Sequence, residues 1–305
     1  MKKNLLDIFP IAIGTFGLGA DRNESWQDNN CESIEIDQEA MNALLYSYER
    51  GQNYIETSSI YAGGKTLRFV SEFLKKVDRN RLFITIKIEN FVERKEDIEN
   101  QLNKYLSILG LEQADSILLH TPAVSKISLE ESYLELKRLK KLGKSRYLSA
   151  SNLNLVQLKQ LVEDLRLDLF GFEGLYNLEC KFNEDEGIIT YCREHGIKFI
   201  NYQPFRRNRT ANRNYPVLVD LVKKYGKEQN QILLNWYVYE KQITPITKAD
   251  KKEHIDLNLS ALDFKMENDD YKKLNEFRSG EFDSLGVDWN DNGGVPIWKI
   301  ANQLD

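Results

Sequence analysis

The sequence is short of cysteine, proline and long apolar runs, and each shortage excludes a class of protein. Its three cysteines, Cys31, Cys180 and Cys192, have no metal-ligand spacing and are too few for a disulfide framework. So sparse and odd a set fits a reducing compartment, and the expected location is cytoplasmic. Six prolines in 305 residues are too few for a disordered chain. No run approaches the roughly 18 apolar residues of a membrane span, so no membrane partner is expected. Lys2 and Lys3 precede an apolar stretch, as in a secretory leader, but Asp7 and Pro10 interrupt it. Ile11 to Phe16 reads better as a first strand. The formal net charge is -5 and no long basic run occurs, so nucleic acid is not an expected partner.

What is present is enough apolar residue, 41% of the chain, to bury one sizeable core. Candidate strands are Ile11–Thr15, Tyr54–Thr57, Leu82–Ile88, Ser116–His120, Arg146–Ser149, Leu169–Gly174, Lys198–Tyr202 and Thr244–Lys248. Most are short apolar or β-branched runs of the buried parallel type, and helical stretches alternate with them. Ile98, Leu102, Tyr105, Leu106 and Leu109 share one helix face, and Gly110 follows where a left-handed stop is wanted. Ser128 and Glu131 have capping-box spacing before a helix that Gly143 ends, and Val217–Tyr225 ends similarly at Gly226. An open doubly wound sheet would fit the alternation, but Gly14, Gly17 and Gly19 do not match its G-x-G-x-x-G turn. The expectation is an α/β fold, a (β/α)8 or TIM barrel, as one domain over residues 1–305. The polar segment Arg22–Glu35 reads as a long loop over the barrel mouth.

In such a barrel the active site lies at the C-terminal ends of the strands. Glu56 ends the second strand with Tyr61 five residues on, Lys87 ends the third and His120 the fourth. Each alone has an ordinary reading: Tyr61 as packing, His120 as a hydrogen-bonded structural residue, Lys87 snorkelling or paired in its apolar run. Their convergence at one mouth has a chemical logic. A phenol holds its proton too tightly near neutral pH, a nearby ammonium lowers its pKa, a carboxylate anchors the ammonium, and an imidazole orients a carbonyl or assists proton transfer. No serine–histidine–acid order and no metal cage is apparent, so no metal is expected.

The stretch Gly51-Gln52-Asn53-Tyr54-Ile55-Glu56-Thr57 through Tyr61 resembles the G-x-N-x-x-D-T-A-x-x-Y element of the aldo-keto reductase superfamily. Gly143-Lys144-Ser145-Arg146-Tyr147 with Ser151-Asn152 is similar to its G-K-x-R-x-x-G-x-S-N element, and Tyr202-Gln203-Pro204-Phe205 to its Y-S-P-L turn. Asn235-Trp236 and Thr244-Pro245-Ile246 match its last helix and strand. The likeness runs from about Ile11 to Asn258. It implies an NAD(P)(H)-dependent oxidoreductase that interconverts an aldehyde or ketone and an alcohol, with NADPH as cofactor and NADH as the alternative. It implies Tyr61 as general acid, Lys87 lowering its pKa, His120 positioning the carbonyl, and Glu56 in the family's aspartate position. Ser151, Asn152 and Glu173 would hold the carboxamide and Tyr202 would stack on the nicotinamide. Lys248, His254 and Asn258 would surround the adenosine end, and Arg206, in the arginine-rich loop after Tyr202, would meet the pyrophosphate.

Four departures stand out. Glu56 adds a methylene to the usual aspartate, and Glu173 stands where glutamine is usual. His254 replaces a common arginine and Ala249 a common serine, which weakens the grip expected on a 2′-phosphate. The two glutamates leave a second reading open, a catalytically weak or inactive cofactor-binding regulatory subunit. Trp26, the loop after His120 and the segment Leu285–Trp298 are expected to shape the substrate mouth.

Overall fold

The computed structural model describes residues 7–18, 34–89, 92–122 and 125–279. Eight strands close into a parallel barrel in chain order: β1 Ala12–Gly14, β2 Tyr54–Ser58, β3 Phe83–Ile88, β4 Ala114–Leu119, β5 Ser145–Ser151, β6 Leu169–Leu175, β7 Lys198–Tyr202 and β8 Thr244–Thr247. β1 closes the ring by pairing with β8 through Ala12 and Ile246. Every strand expected from sequence forms, with ends that move by a residue or two. β5 runs on to Ser151 because its last residues pair with Gly171, Phe172 and Glu173 of β6. His120 lies just past β4, its N–H still donating to the Ile88 carbonyl at 2.8 Å.

The helical signals act as expected. The helix Lys95–Leu109 buries Ile98, Leu102, Tyr105, Leu106 and Leu109 and stops at Gly110, φ 68°. Helix Leu129–Lys141 starts where the Ser128 side chain accepts from the Glu131 N–H at 3.1 Å. These helices pack outside the strands, and the main apolar core fills the layer between. Burying each Leu, Ile or Phe of that layer contributes about 1.5–3 kcal/mol.

The barrel interior is layered. Toward the N-terminal end of the strands, Tyr54, Phe83, Phe170, Ile200 and Ile246 form a separate apolar plug, with the Phe83 and Phe170 rings stacked 4.4 Å apart. Above it the inward positions turn polar. Glu56 and Lys87 follow Tyr54 and Thr85 by two residues on β2 and β3, and Glu173 follows Gly171 on β6, so the period of two turns them toward the axis. At Gly14 a Cβ would come 2.5 Å from Ile246 Cγ2, so only glycine lets β1 pass this close to β8 beneath the mouth.

The loop Arg22–Glu35 falls outside the described residues except for Ile34 and Glu35, and Cys31, Trp26 and Leu285–Trp298 lie outside them entirely. No described helix is long and apolar enough to cross a membrane, and no cluster of metal-ligand type occurs among the described residues.

Candidate active site

A cavity of about 400 Å³ opens at the C-terminal ends of the strands, within the size range of small-molecule sites. Its wall includes Tyr61, Lys87, His120, Asn152, Tyr202 and Lys248. These come from five strand ends and one loop, and the parallel register brings them to one level.

Lys87 is the centre of charge. It is buried, with Nζ 2.7 Å from Glu56 Oε1 and in direct contact with Glu173 Oε1. Burial works against its charge, but the Glu173 and Glu56 carboxylates outweigh burial and hold the ammonium pKa well above its usual value. Glu173 is fully buried, and its second carboxylate oxygen has no hydrogen-bond partner among the described residues. Burial pushes the Glu173 pKa up, Lys87 opposes this, and Glu56 adds to it.

Tyr61 begins a tight turn after β2 in which Ala62 and Gly63 take left-handed φ of 49° and 60°. Its phenol donates to Glu56 Oε1 at 2.8 Å. Phe16 packs edge-on against it at 5.2 Å and the His120 ring at 6.0 Å. The sequence led us to expect that Lys87 lowers the pKa of this phenol. It does, by its charge and by a hydrogen bond, but burial and then Glu56 raise the phenol more and leave its pKa well above the usual value. The extra carboxylate at Glu173 also raises it, since two negative charges share one lysine.

Asn152, at a left-handed φ of 54° that asparagine tolerates, ties two walls together. Its amide donates to the His120 carbonyl at 2.8 Å and accepts from the Tyr202 phenol at 2.8 Å. Tyr202 thereby faces the cavity with a fixed ring, and Lys87 Nζ stands 5.9 Å from its centre. Ser151 is buried and donates to the same His120 carbonyl at 3.3 Å, so it braces His120 and is not part of the cavity wall. Lys248 sits just past β8 with Asp250 at 2.6 Å. His254 is exposed and Asn258 half-buried on the helix Lys252–Leu259, outside the cavity wall.

Arg206 is a correction. It is 1% exposed and its Nη1 lies 3.0 Å from Glu179 Oε2, itself fully buried. Thr210, Tyr215 and Arg213 converge on the same carboxylate. Arg206 therefore anchors the loop after β7 internally, and its guanidinium is not offered to a phosphate. The next residues, Arg207 and Asn208, line the cavity instead, and the Arg207 guanidinium lies 5.1 Å above the Phe16 ring.

The match to the sequence model of the aldo/keto reductase family covers residues 10–279. The chain belongs to the aldo/keto reductase family. An aldo-keto reductase of Bombyx mori is 27% identical over 284 residues, 87% of this chain and 90% of its own. The NADPH-dependent alpha-keto amide reductase of Saccharomyces cerevisiae (strain ATCC 204508 / S288c) is 26% identical, over 92% and 90%. Among solved structures, a thermostable aldo-keto reductase in complex with the inhibitor epalrestat matches with a TM-score of 0.77 at 25% identity, over 89% of this chain and 97% of that one.

The donor set suits a nicotinamide dinucleotide. An aromatic face at Tyr202 and an amide at Asn152 lie deep in the cavity, and the cations Arg207 and Lys248 share its wall. Two residues of this site were not singled out from sequence. Glu89, buried beside His120, and Ser58, bonded to Glu89, stand behind the wall near the histidine. Glu89 was findable: the alternation that turns Lys87 inward turns the residue two further on the same way.

Proposed function

We propose that this aldo/keto reductase is an NADPH-dependent enzyme that interconverts a small aldehyde or ketone and its alcohol. The observation that carries this is one cavity walled by Tyr61, Lys87 and His120 together with Tyr202 and Asn152. The yeast relative is NADPH-dependent, and the cationic wall at Arg207 and Lys248 suits phosphates. A bound nicotinamide supplies the hydride. The chain's part is orientation and proton handling.

Tyr61 and His120 are the hydrogen-bonding groups that flank a carbonyl oxygen entering beside Lys87. Tyr202 and Asn152 fix the plane in which the nicotinamide lies. Phe16, Ile60 and Phe205 give the cavity an apolar flank, which admits a carbon skeleton and sheds water from it. The Lys87 ammonium, fixed between Glu56 and Glu173, stabilises the negative charge that develops on the oxygen.

The test is oxidation of NADPH and of NADH over a broad carbonyl panel, with Lys87→Met alongside. Turnover should be faster with NADPH and fall about 100-fold or more in the variant. Saturable NADPH binding without turnover on any carbonyl would instead favour the cofactor-binding regulatory reading.

A further inference from the structure

Outside the strand-end site, the segment Glu179-Cys180-Lys181 after β6 is buried and bears two charged side chains. Asn177 fixes its backbone, with Oδ1 accepting from the Glu179 N–H at 3.1 Å and the Cys180 N–H at 2.9 Å. The Glu179 carboxylate gathers Arg206, Thr210, Arg213 and Tyr215 from the stretch after β7. The Lys181 ammonium holds the end of the helix Asn268–Glu276. It donates to the carbonyls of Leu274, Asn275 and Phe277 at 2.6, 2.8 and 2.9 Å.

Three carbonyls match the three N–H groups of an ammonium, and positive charge suits a helix C-terminus. Trp236 supports the same end, with its ring 5.3 Å from Lys181 Nζ and its Nε1 donating to Asn275 Oδ1 at 2.8 Å. Burial, then Arg278 and Lys241, pull the Lys181 pKa down, and Glu184 and Asp185 oppose them. The charge is therefore held in place at a cost. The contacts then close a circuit through Phe277. Lys181 and Arg278 hold its carbonyl, its ring packs against the Tyr215 ring at 4.8 Å, and the Tyr215 phenol donates to Glu179 Oε1 at 2.8 Å.

A strained loop hangs on this circuit. Gln203, Arg206, Arg207 and Asn208 have φ of 53°, 48°, 56° and 67°, a region that only asparagine among them enters readily. Such conformations persist where neighbours hold them. Asn177 and Tyr237 hold the carbonyls of Gln203 and Pro204. Arg207 and Asn208, which line the cavity, follow directly on Arg206, whose buried anchor is Glu179. Asn230 adds one exposed bond to Asn208 at 3.0 Å.

We propose that Lys181 and Glu179 form a mechanical relay: the hold of Lys181 on the helix end sets how firmly the loop after β7 stays closed, and so how fast the cofactor leaves. Both are positioning residues, and neither lines the cavity. The coupling runs through contiguous bonded and packed groups, namely Lys181, Phe277, Tyr215, Glu179 and Arg206. The effect on release rests on the reading of the cavity as a nicotinamide site, and the mechanical link does not.

Two measurements test this. The first needs no cofactor. Amide hydrogen exchange should show Lys181→Met opening residues 203–215 as well as 274–277, with Lys181→Arg restoring much of the protection. Tyr215→Phe, the milder change, should open 203–215 alone. Faster exchange confined to 274–277 in Lys181→Met would overturn the relay.

The second is release of NADPH, followed by its fluorescence after mixing with excess NADP⁺. Lys181→Met should speed release about tenfold and Tyr215→Phe about threefold. Because both break one circuit, the double variant should release about as fast as Lys181→Met alone. Asp270→Asn, which weakens the same helix near its start, should leave release unchanged. An unchanged rate in Lys181→Met, a product of about thirtyfold in the double variant, or equal acceleration by Asp270→Asn would reduce Lys181 to a helix cap and overturn the proposal. If NADPH does not bind, the cofactor reading falls and the effect on release with it, while exchange of residues 203–215 still decides the link to the helix.

Discussion

Replacing Glu173 with glutamine should make the protein more stable, and increasingly so as pH rises. Glu173 is one of two carboxylates on a single buried ammonium, and its Oε2 is buried with no hydrogen-bond partner among the described residues. At an effective dielectric of about 20, the attraction to Lys87 is about 6 kcal/mol and the repulsion from Glu56, roughly 5 Å away across the shared ammonium, about 3 kcal/mol. Stripping water from a buried carboxylate costs several kcal/mol. The balance favours glutamine by about 1–3 kcal/mol at pH 8, a rise in Tm of about 2–6 °C. The sign follows from the raised pKa of Glu173. Above the ordinary carboxylate range, the unfolded chain has released this proton while the folded chain still binds it. Stability from this group therefore falls as pH rises through the folded-state pKa. Thermal melts between about pH 5 and pH 9 should show the variant and wild type converging at the acid end and separating toward alkaline pH. A variant less stable at pH 8, or a gap independent of pH, would refute the reasoning. The same charge favours an oxidised, positively charged nicotinamide. Glu173→Gln should weaken NADP⁺ relative to NADPH on the order of tenfold, about 1.4 kcal/mol. Equal changes in both dissociation constants, measured by fluorescence titration, would sink that part.

Arg207→Ala should weaken NADPH binding about tenfold with little change in Tm, because its guanidinium lines the cavity; an unchanged dissociation constant would remove it from the cofactor path. Glu179→Ala should cost about 3–5 kcal/mol in urea denaturation, since it leaves the buried Arg206 without its carboxylate. Asp250→Asn should improve NADPH binding relative to NADH by about threefold to tenfold, because Asp250 now draws off the Lys248 ammonium 2.6 Å away; equal effects on both cofactors would separate Lys248 from the 2′-phosphate. Asp270 receives Lys224, Lys273 and the Tyr225 phenol, and although burial opposes it, these partners hold its carboxyl well below the usual range. Asp270→Asn should therefore cost about 1–2 kcal/mol at neutral pH, a difference that persists above the unfolded carboxylate pKa and fades as pH falls through the folded one.

The barrel was legible because its signals are local and repeated. Each strand is a short apolar run, and the helix stops at Gly110 and Gly226 are single residues whose positive φ has one common solution. The convergence of Tyr61, Lys87 and His120 followed from the fold, since a parallel barrel gathers strand ends. The sense of the electrostatics was not legible. Lys87 lowers the Tyr61 pKa, but burial and the carboxylates that share the ammonium outweigh it, and Glu173 reaches that ammonium from across the barrel, 86 residues away in sequence. Arg206 failed for the same reason. An arginine in a phosphate-facing loop and an arginine folded inward onto Glu179 look alike until the partner's position is known.

The site's carboxylates act as a set. Glu56, Glu173 and Glu89 all lie behind one mouth, and Lys87 pairs with the first two. A buried excess of negative charge is costly, and protons relieve it. The place for a proton is Glu173, whose pKa burial and Glu56 raise. Burial, and after it the same carboxylates, make Tyr61 a weaker acid. Replacing an aspartate and a glutamine by glutamates thus does more than lengthen or charge two side chains. It weakens the acid at Tyr61 and raises the pKa of the carboxyl beside Lys87 at Glu173.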